Sequence, residues 1–158
     1  MAKSLEERAF AGDHYSLVYP SSSDDSTYTE TWSLKYNMVW DHLFGSGLFD
    51  PKVFELETDT YVKKVGPFGT PLDNRSTYTK SDWILWSCAL TDSREKRQAL
   101  IGPVARFLKE TESRYPFSDW YFTDTGLFRA FKGRSVQGGI FMPILTDRGL
   151  VSQNAVDE

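Results

Sequence analysis

The sequence predicts an all-α fold of stacked helical hairpins, and three observations predict it. Apolar residues recur at helical spacing in several separate windows, with residues 32–44 the strongest. Cap and stop residues punctuate those windows where helices begin and end. No window alternates apolar and polar residues as a half-buried strand requires, and the connections are loops rich in Asp, Arg and Trp. In such stacks the loops at one end carry function.

In chain order, residues 1–11 read as the end of a helix stopped by Gly12, which supplies a left-handed cap. The polar run Ser21, Ser22, Ser23, Asp24, Asp25 and Ser26 cannot pack a core and reads as a linker. Trp32, Tyr36, Val39, Trp40, Leu43 and Phe44 then fall at helical spacing, with Thr29 or Thr31 as cap and Gly45 and Gly47 as stops. Asp50 followed by Pro51 opens the next helix, because proline's missing N–H is harmless at the first helical position. Phe54, Tyr61, Val62 and Val65 give that helix its inner face.

Gly66, Pro67, Gly69 and Pro71 make a rigid connection into residues 72–78, an aperiodic loop dense in polar groups. Thr79, Lys80, Ser81 and Asp82 match a capping box ahead of residues 83–90, a helix apolar on nearly all sides and therefore buried. Asp92 and Glu95 repeat the capping logic for a helix through Phe107 and Leu108, which Pro103 is expected to kink or interrupt. A turn at residues 112–117 leads through Ser118, Asp119, Trp120 and Tyr121 into a loop around Asp124 to Gly126. Residues 133–145 carry a last apolar segment opened by Ser135, and the tail after Arg148 is polar and frayed.

Composition bounds the function. With 158 residues, 40% hydrophobic and 25% charged, the chain builds one globular core. Aromatic residues are 15% of it, so they fill a large interior or line a cavity. The net charge is −4, from 18 basic against 22 acidic residues, and no basic run supplies the footprint that phosphate backbones require; nucleic acid is not expected as a partner. The single cysteine, Cys88, sits in an apolar run and reads as a small buried hydrophobe. Two histidines, His14 and His42, with no His-x-x-x-His pair, predict no metal site. His42 reads as plain surface or a satisfied core group, and Asp41 as a structural partner for an Arg or Lys. No apolar run reaches the length of a membrane span, and the charged start is no signal peptide, so the sequence itself encodes no export.

Six segments in order resemble the six-hairpin domain of the glutaminase A family. They are Gly12-Asp13-His14-Tyr15; residues 32–43 with Lys35-Tyr36-Asn37 and Trp40-Asp41; Gly69-Thr70-Pro71-Leu72-Asp73-Asn74-Arg75; Tyr78-Thr79-Lys80-Ser81-Asp82-Trp83; Ser118-Asp119-Trp120-Tyr121; and Arg134-Ser135-Val136-Gln137-Gly138-Gly139. The resemblance implies an (α/α)6 toroid like that of six-hairpin glycosidases, an extracellular setting, and hydrolysis of glutamine to glutamate and ammonia without a cofactor. Relatives carry further hairpins and a β-rich domain before this region. Residues 1–148 are thus expected to be the C-terminal portion of the helical domain, and residues 149–158 a polar tail. A partial ring leaves apolar helix flanks facing water, so self-association or pairing with the N-terminal portion of the domain is expected.

Amide hydrolysis needs a nucleophile with a base, or a water activated by a carboxylate with an acid for the leaving ammonia. Ser76, Ser81 and Ser118 lie near acids, but neither histidine belongs to a nucleophile motif, so the carboxylate route is favoured. The catalytic candidates are Asp82, beside Trp83 at a helix start, and Asp119, whose aromatic neighbour can raise its pKa. Each has a plainer use as a cap or turn residue. Asp73 and Arg75 suit an amino-acid clamp, carboxylate to α-amino group and guanidinium to α-carboxylate; they equally suit each other across a tight turn. Tyr78, Lys80, Trp83, Trp120 and Arg134 complete the expected substrate-binding set. Trp40, Trp83, Trp86 and Trp120 either wall that pocket or fill the core, and Gly138 and Gly139 bring backbone close to it or serve helix packing. Two other functions fit the same residues. One is a glycoside hydrolase with Asp82 and Asp119 flanking a water. The other is a non-catalytic module whose helices bind another chain.

Overall fold

The computed structural model describes residues 2–22, 25–113 and 115–148. The expected polar tail at residues 149–158, and Ser23 and Asp24 of the linker, lie outside the described residues. The chain is mostly helical: α1 (Ala2–Ala9), α2 (Val39–Phe44), α3 (Pro51–Lys63), α4 (Ser81–Cys88), α5 (Arg94–Glu110) and α6 (Met142–Asp147). Two three-residue strands, β1 (Tyr78–Lys80) and β2 (Trp120–Phe122), pair antiparallel with Lys80 opposite Trp120. This ribbon was not predicted, because three residues are too few for a period of two to register. None of the described helices is long and apolar enough to cross a membrane.

Local chemistry explains most boundaries. The Asp50 side chain accepts from the Lys52 amide and Pro51 takes the first turn of α3, as expected. Gly45 closes α2 in the left-handed conformation at φ 59°. Ser93 rather than Asp92 caps α5, accepting from the Lys96 amide. Pro103 does not interrupt α5, which runs unbroken from Arg94 to Glu110.

The helix predicted from Trp32 begins only at Val39. Trp32, Ser33 and Leu34 are drawn into extended pairing with the 72–74 loop: Ser33 bridges Asp73, the Leu34 amide donates to the Leu72 carbonyl, and the Trp32 amide donates to Asn74 Oδ1. A single 3-10 turn at Tyr36–Met38 then leads into α2. Thr31 does not N-cap α2; it closes the 3-10 turn Thr27–Glu30, and its hydroxyl accepts from the Leu17 amide and donates to the Tyr28 carbonyl. Asp41 also departs from expectation, since its carboxylate accepts from the Leu48 and Phe49 amides rather than from a basic side chain.

Helix α4 is the hub of the molecule. Ile84 and Cys88 are fully buried and Leu85 nearly so, while α5, α6, the 36–38 turn and the 3-10 segment Ser135–Phe141 pack around it. Each such buried aliphatic side chain contributes roughly 1.5–3 kcal/mol. Burial pushes the Cys88 thiol up to about 12, which leaves it an inert hydrophobe as the sequence implied. Strand β2 is fixed on α5 by Tyr121, stacked on Phe107 at 3.6 Å and donating to the Phe68 carbonyl.

A second buried network ties α3 to the N-terminal segment. Glu57, only 1% exposed, accepts from the Tyr15 amide at 2.7 Å, from Lys35 Nζ at 3.0 Å and from the Tyr61 hydroxyl at 2.7 Å. Lys35 Nζ also donates to the Tyr15 carbonyl at 2.6 Å. Trp40, Phe44, Leu48, Phe141 and Ile144 are exposed.

Candidate functional site

The β1–β2 ribbon builds the site. Asp119 immediately precedes β2 and Asp82 is the second residue after β1, so antiparallel pairing brings two positions 37 residues apart in sequence to one place. The Ser81 amide donates to the Asp119 carbonyl at 3.0 Å and locks this junction. The predicted capping box is not formed: Thr79 belongs to β1, and Lys80 occupies the cap position without a side-chain capping bond. Asp82 therefore does not serve as the capping-box carboxylate.

Two carboxylates meet two cations here. Asp119, fully buried, takes Lys80 Nζ at 3.2 Å and the Arg134 guanidinium at 2.9 Å on the same oxygen, Oδ2. Asp82 is 2% exposed. Burial pushes its carboxyl up to about 6, its own amide pulls the other way, the charge of Asp119 adds to the rise, and Lys80 and Arg134 oppose it. Such a group changes protonation within the working range of an acid–base catalyst.

Aromatic rings enclose the cations. Lys80 Nζ lies 5.0 Å from the Trp83 ring, 5.2 Å from Trp120 and 4.9 Å from Phe131, while Arg134 lies over Phe131 at 4.2 Å. Tyr36 stacks on Trp83 at 4.0 Å, and Tyr78 meets Trp120 edge-on. The 135–141 segment covers Asp82 through Gly139, where a Cβ would lie 2.6 Å from Trp86 Nε1 and 3.0 Å from Asp82 Cβ. Only glycine permits that approach. Gln137 fastens the cover, accepting from the Ser81 hydroxyl and donating to the Phe117 carbonyl.

The structure thus brings together Asp82, Asp119, Lys80, Trp83, Trp120 and Arg134, with Tyr78 at the edge. Asp73 and Arg75 stand apart and take the second of their two expected uses. Arg75 gives Nε and Nη2 to the two oxygens of Asp73, at 2.9 and 2.7 Å, and its amide to Oδ1. That pair holds the Asp73 carboxyl below its usual value. It borders an open cleft of about 410 Å³ whose lining includes Tyr36 and Trp83, so the Tyr36–Trp83 stack lies between this cleft and the buried cluster. Sequence reasoning missed Phe131, an aromatic in a polar loop, and left Gly139 without a specific partner. Among the described residues no group of three or more His, Cys, Asp or Glu is arranged to hold a metal ion.

A helical-hairpin scaffold that carries a buried carboxylate pair behind aromatic rings defines the class, a stacked-hairpin domain. The chain belongs to the family of the glutaminase A six helical-hairpin domain, whose model matches residues 1–144. It is similar to Glutaminase A of Aspergillus oryzae, with 35% identity over 115 residues covering 71% of this chain and 16% of that protein. It is also similar to a probable glutaminase of Arthroderma benhamiae, with 33% identity over 99 residues covering 61% of this chain and 11% of that protein. The chain therefore spans a small part of the length of both fungal relatives. No solved structure matches it.

Proposed function

We propose that this chain carries part of the amide-hydrolysing site of a glutaminase, with Asp82 as the proton-transfer group and Asp119 as the anchor of two cations. The observation that carries the reading is the pair of buried carboxylates, one poised near pH 6 and the other ion-paired to Lys80 and Arg134. The names of the two fungal relatives support glutamine as substrate.

In this reading ionised Asp82 takes a proton from water as the water oxygen attacks the carboxamide carbon of glutamine. The carbonyl electron pair moves onto oxygen, where the positive field of Lys80 and Arg134 stabilises it. Collapse of the tetrahedral intermediate breaks the C–N bond, and Asp82 returns its proton to the leaving nitrogen. The new γ-carboxylic acid passes its proton to the departing ammonia, so glutamate and ammonium result and Asp82 ends in its starting state. Trp83, Trp120 and Phe131 exclude water from the cations, and the cleft beside Tyr36, Trp83 and Arg75 is the approach to the buried pair.

The test is ammonia release from glutamine by the purified chain between pH 5 and pH 8, with oligosaccharide and reducing-end detection run in parallel. Glutamine-dependent ammonia that disappears in Asp119→Asn supports the reading. Sugar release without ammonia would transfer the site to the glycosidase alternative, and neither product would leave a non-catalytic module.

A further inference from the structure

An arginine that serves the fold commits its donors to the fold, whereas one that keeps donors free beside a cleft offers them to a ligand. Arg97 is of the first kind. Its Nε donates to the Thr91 carbonyl, its two terminal nitrogens go to Asp147 and Asp92, and its side chain is 14% exposed. Arg75 is of the second kind: it lines the open cleft of about 410 Å³, and its side chain is 66% exposed.

Asp73 takes only one side of the Arg75 fork, the Nε–H and one Nη2–H. Among the described residues Nη1 has no hydrogen-bond partner. The outer end of the guanidinium therefore keeps one N–H from Nη1 and one from Nη2, and these run parallel at the spacing of the two oxygens of a carboxylate. The fork is held in place before any ligand arrives. Asp73 is 5% exposed and accepts from the Arg75 amide as well as from its Nε. The loop is pinned on both flanks, the Leu72 amide donating to the Tyr78 carbonyl and the Asn74 amide to the Trp32 carbonyl. A donor pair fixed in this way loses little freedom on binding. The rest of the cleft suits a small organic body: the stacked Tyr36 and Trp83 rings, Leu34 and Leu72 line it, with Asn37 as a further polar group. Its volume lies within the range of small-molecule sites.

We propose that Arg75 binds the α-carboxylate of an amino-acid ligand in this cleft through its free Nη1–Nη2 edge, with the side chain of the ligand against Tyr36 and Trp83. This deepens the glutaminase reading and rests on it for the identity of the ligand as glutamine. Asp73 answers much of the guanidinium charge, so discrimination comes from the two parallel bonds. A carboxylate accepts both, whereas a neutral α-amide presents one oxygen and turns an N–H toward the second donor.

The experiment uses the full chain as wild type, Arg75→Ala and Arg75→Lys, with norvaline and norvaline α-amide as probes. Norvaline has the carbon skeleton of glutamine without the carboxamide oxygen and nitrogen, so binding is read by NMR titration with no hydrolysis. The proposal expects wild type to bind norvaline about tenfold or more tightly than the α-amide. That preference should vanish in Arg75→Ala and shrink in Arg75→Lys, which keeps the charge but loses the parallel pair, with little change in melting temperature. Where wild type releases ammonia from glutamine, Arg75→Ala should raise KM about 10- to 100-fold with kcat little changed, the pattern of a lost binding contact. Active wild type whose KM is unchanged in folded Arg75→Ala overturns the proposal and leaves the glutaminase reading intact. Inactive wild type with a carboxylate preference that Arg75→Ala abolishes supports the cleft site and removes the hydrolytic reading. Equal binding of norvaline and its amide, or binding of neither, overturns the proposal outright. Should Arg75→Ala unfold, Arg75→Lys decides, an undiminished carboxylate preference counting against the proposal and a reduced one for it.

Discussion

Among the described residues two buried charged clusters, around Glu57 and around Asp119, are built to opposite rules. Around Glu57 both carboxylate oxygens have partners, one taking the Tyr15 amide and the other Lys35 and Tyr61, and Lys35 in turn donates to a backbone carbonyl. Around Asp82 and Asp119 one oxygen, Asp119 Oδ2, takes two cations, while Asp82 Oδ1 and Asp119 Oδ1 have no partner among the described residues. A complete network rigidifies the fold it sits in. An incomplete one costs stability, and it persists where another molecule completes it. The difference separates a structural lock from the proposed site, although both contain a lysine, a carboxylate and aromatic rings.

The comparison is sharpened most by breaking the lock. Glu57→Ala removes the counter-charge of Lys35 and the acceptor of the Tyr61 hydroxyl and is expected to lower unfolding free energy by about 3–5 kcal/mol, read by denaturant titration. Gly139→Ala comes next, since its Cβ would press on Trp86 and Asp82; a loss of roughly 1–3 kcal/mol, with a larger proportional loss of turnover, is expected.

A smaller effect lies in pH. The Asp82 carboxyl is raised from 3.8 to about 6, so the folded state binds its proton more tightly than the unfolded chain does. Its contribution therefore favours folding below pH 4 and is lost as pH rises through 6, by on the order of 1 kcal/mol after allowance for solvent screening. Melting curves from pH 4 to pH 7 should carry this slope in wild type and lack it in Asp82→Asn. Asp73 has the opposite sign: its lowered carboxyl stabilises above pH 4 and loses that contribution as pH falls through its folded value. The smallest effect is expected from Arg75→Ala, because its guanidinium is mostly exposed and water screens its pair with Asp73; the melting temperature should move by no more than about a few degrees.

Sequence pattern carried the helical class because its signals are local. Asp50 and Pro51 sit next to the amide they cap and the turn they start, and Gly45 stops α2 by its own backbone freedom. Signals that depend on distant pairing were not legible. The residues from Trp32 to Leu34 have helical spacing but are recruited by the 72–74 loop, whose backbone offers them a bridge and two hydrogen bonds. Strands β1 and β2 define each other across some forty residues, so neither segment alone announces a strand. The same ribbon explains the mixed legibility of the site. Asp82 at a helix start and Asp119 in a loop stand out as carboxylates beside tryptophans, whereas their meeting, and the sharing of Asp119 by Lys80 and Arg134, exists only once β1 finds β2. Glu57 escaped notice because its neighbours Glu55 and Asp59 look like the polar face of α3, and its partners Tyr15 and Lys35 lie outside that helix.

The most direct test of an acid–base site built at the expense of stability is Asp82→Asn, assayed for ammonia release from glutamine and for melting temperature at pH 7 on the same preparation. Removal of a buried, partly unpaired charge should leave the melting temperature unchanged or raise it, while the rate falls about 100- to 10,000-fold. A rate that survives the substitution, or a melting temperature that falls in step with the rate, would contradict the account and make Asp82 an ordinary structural carboxylate.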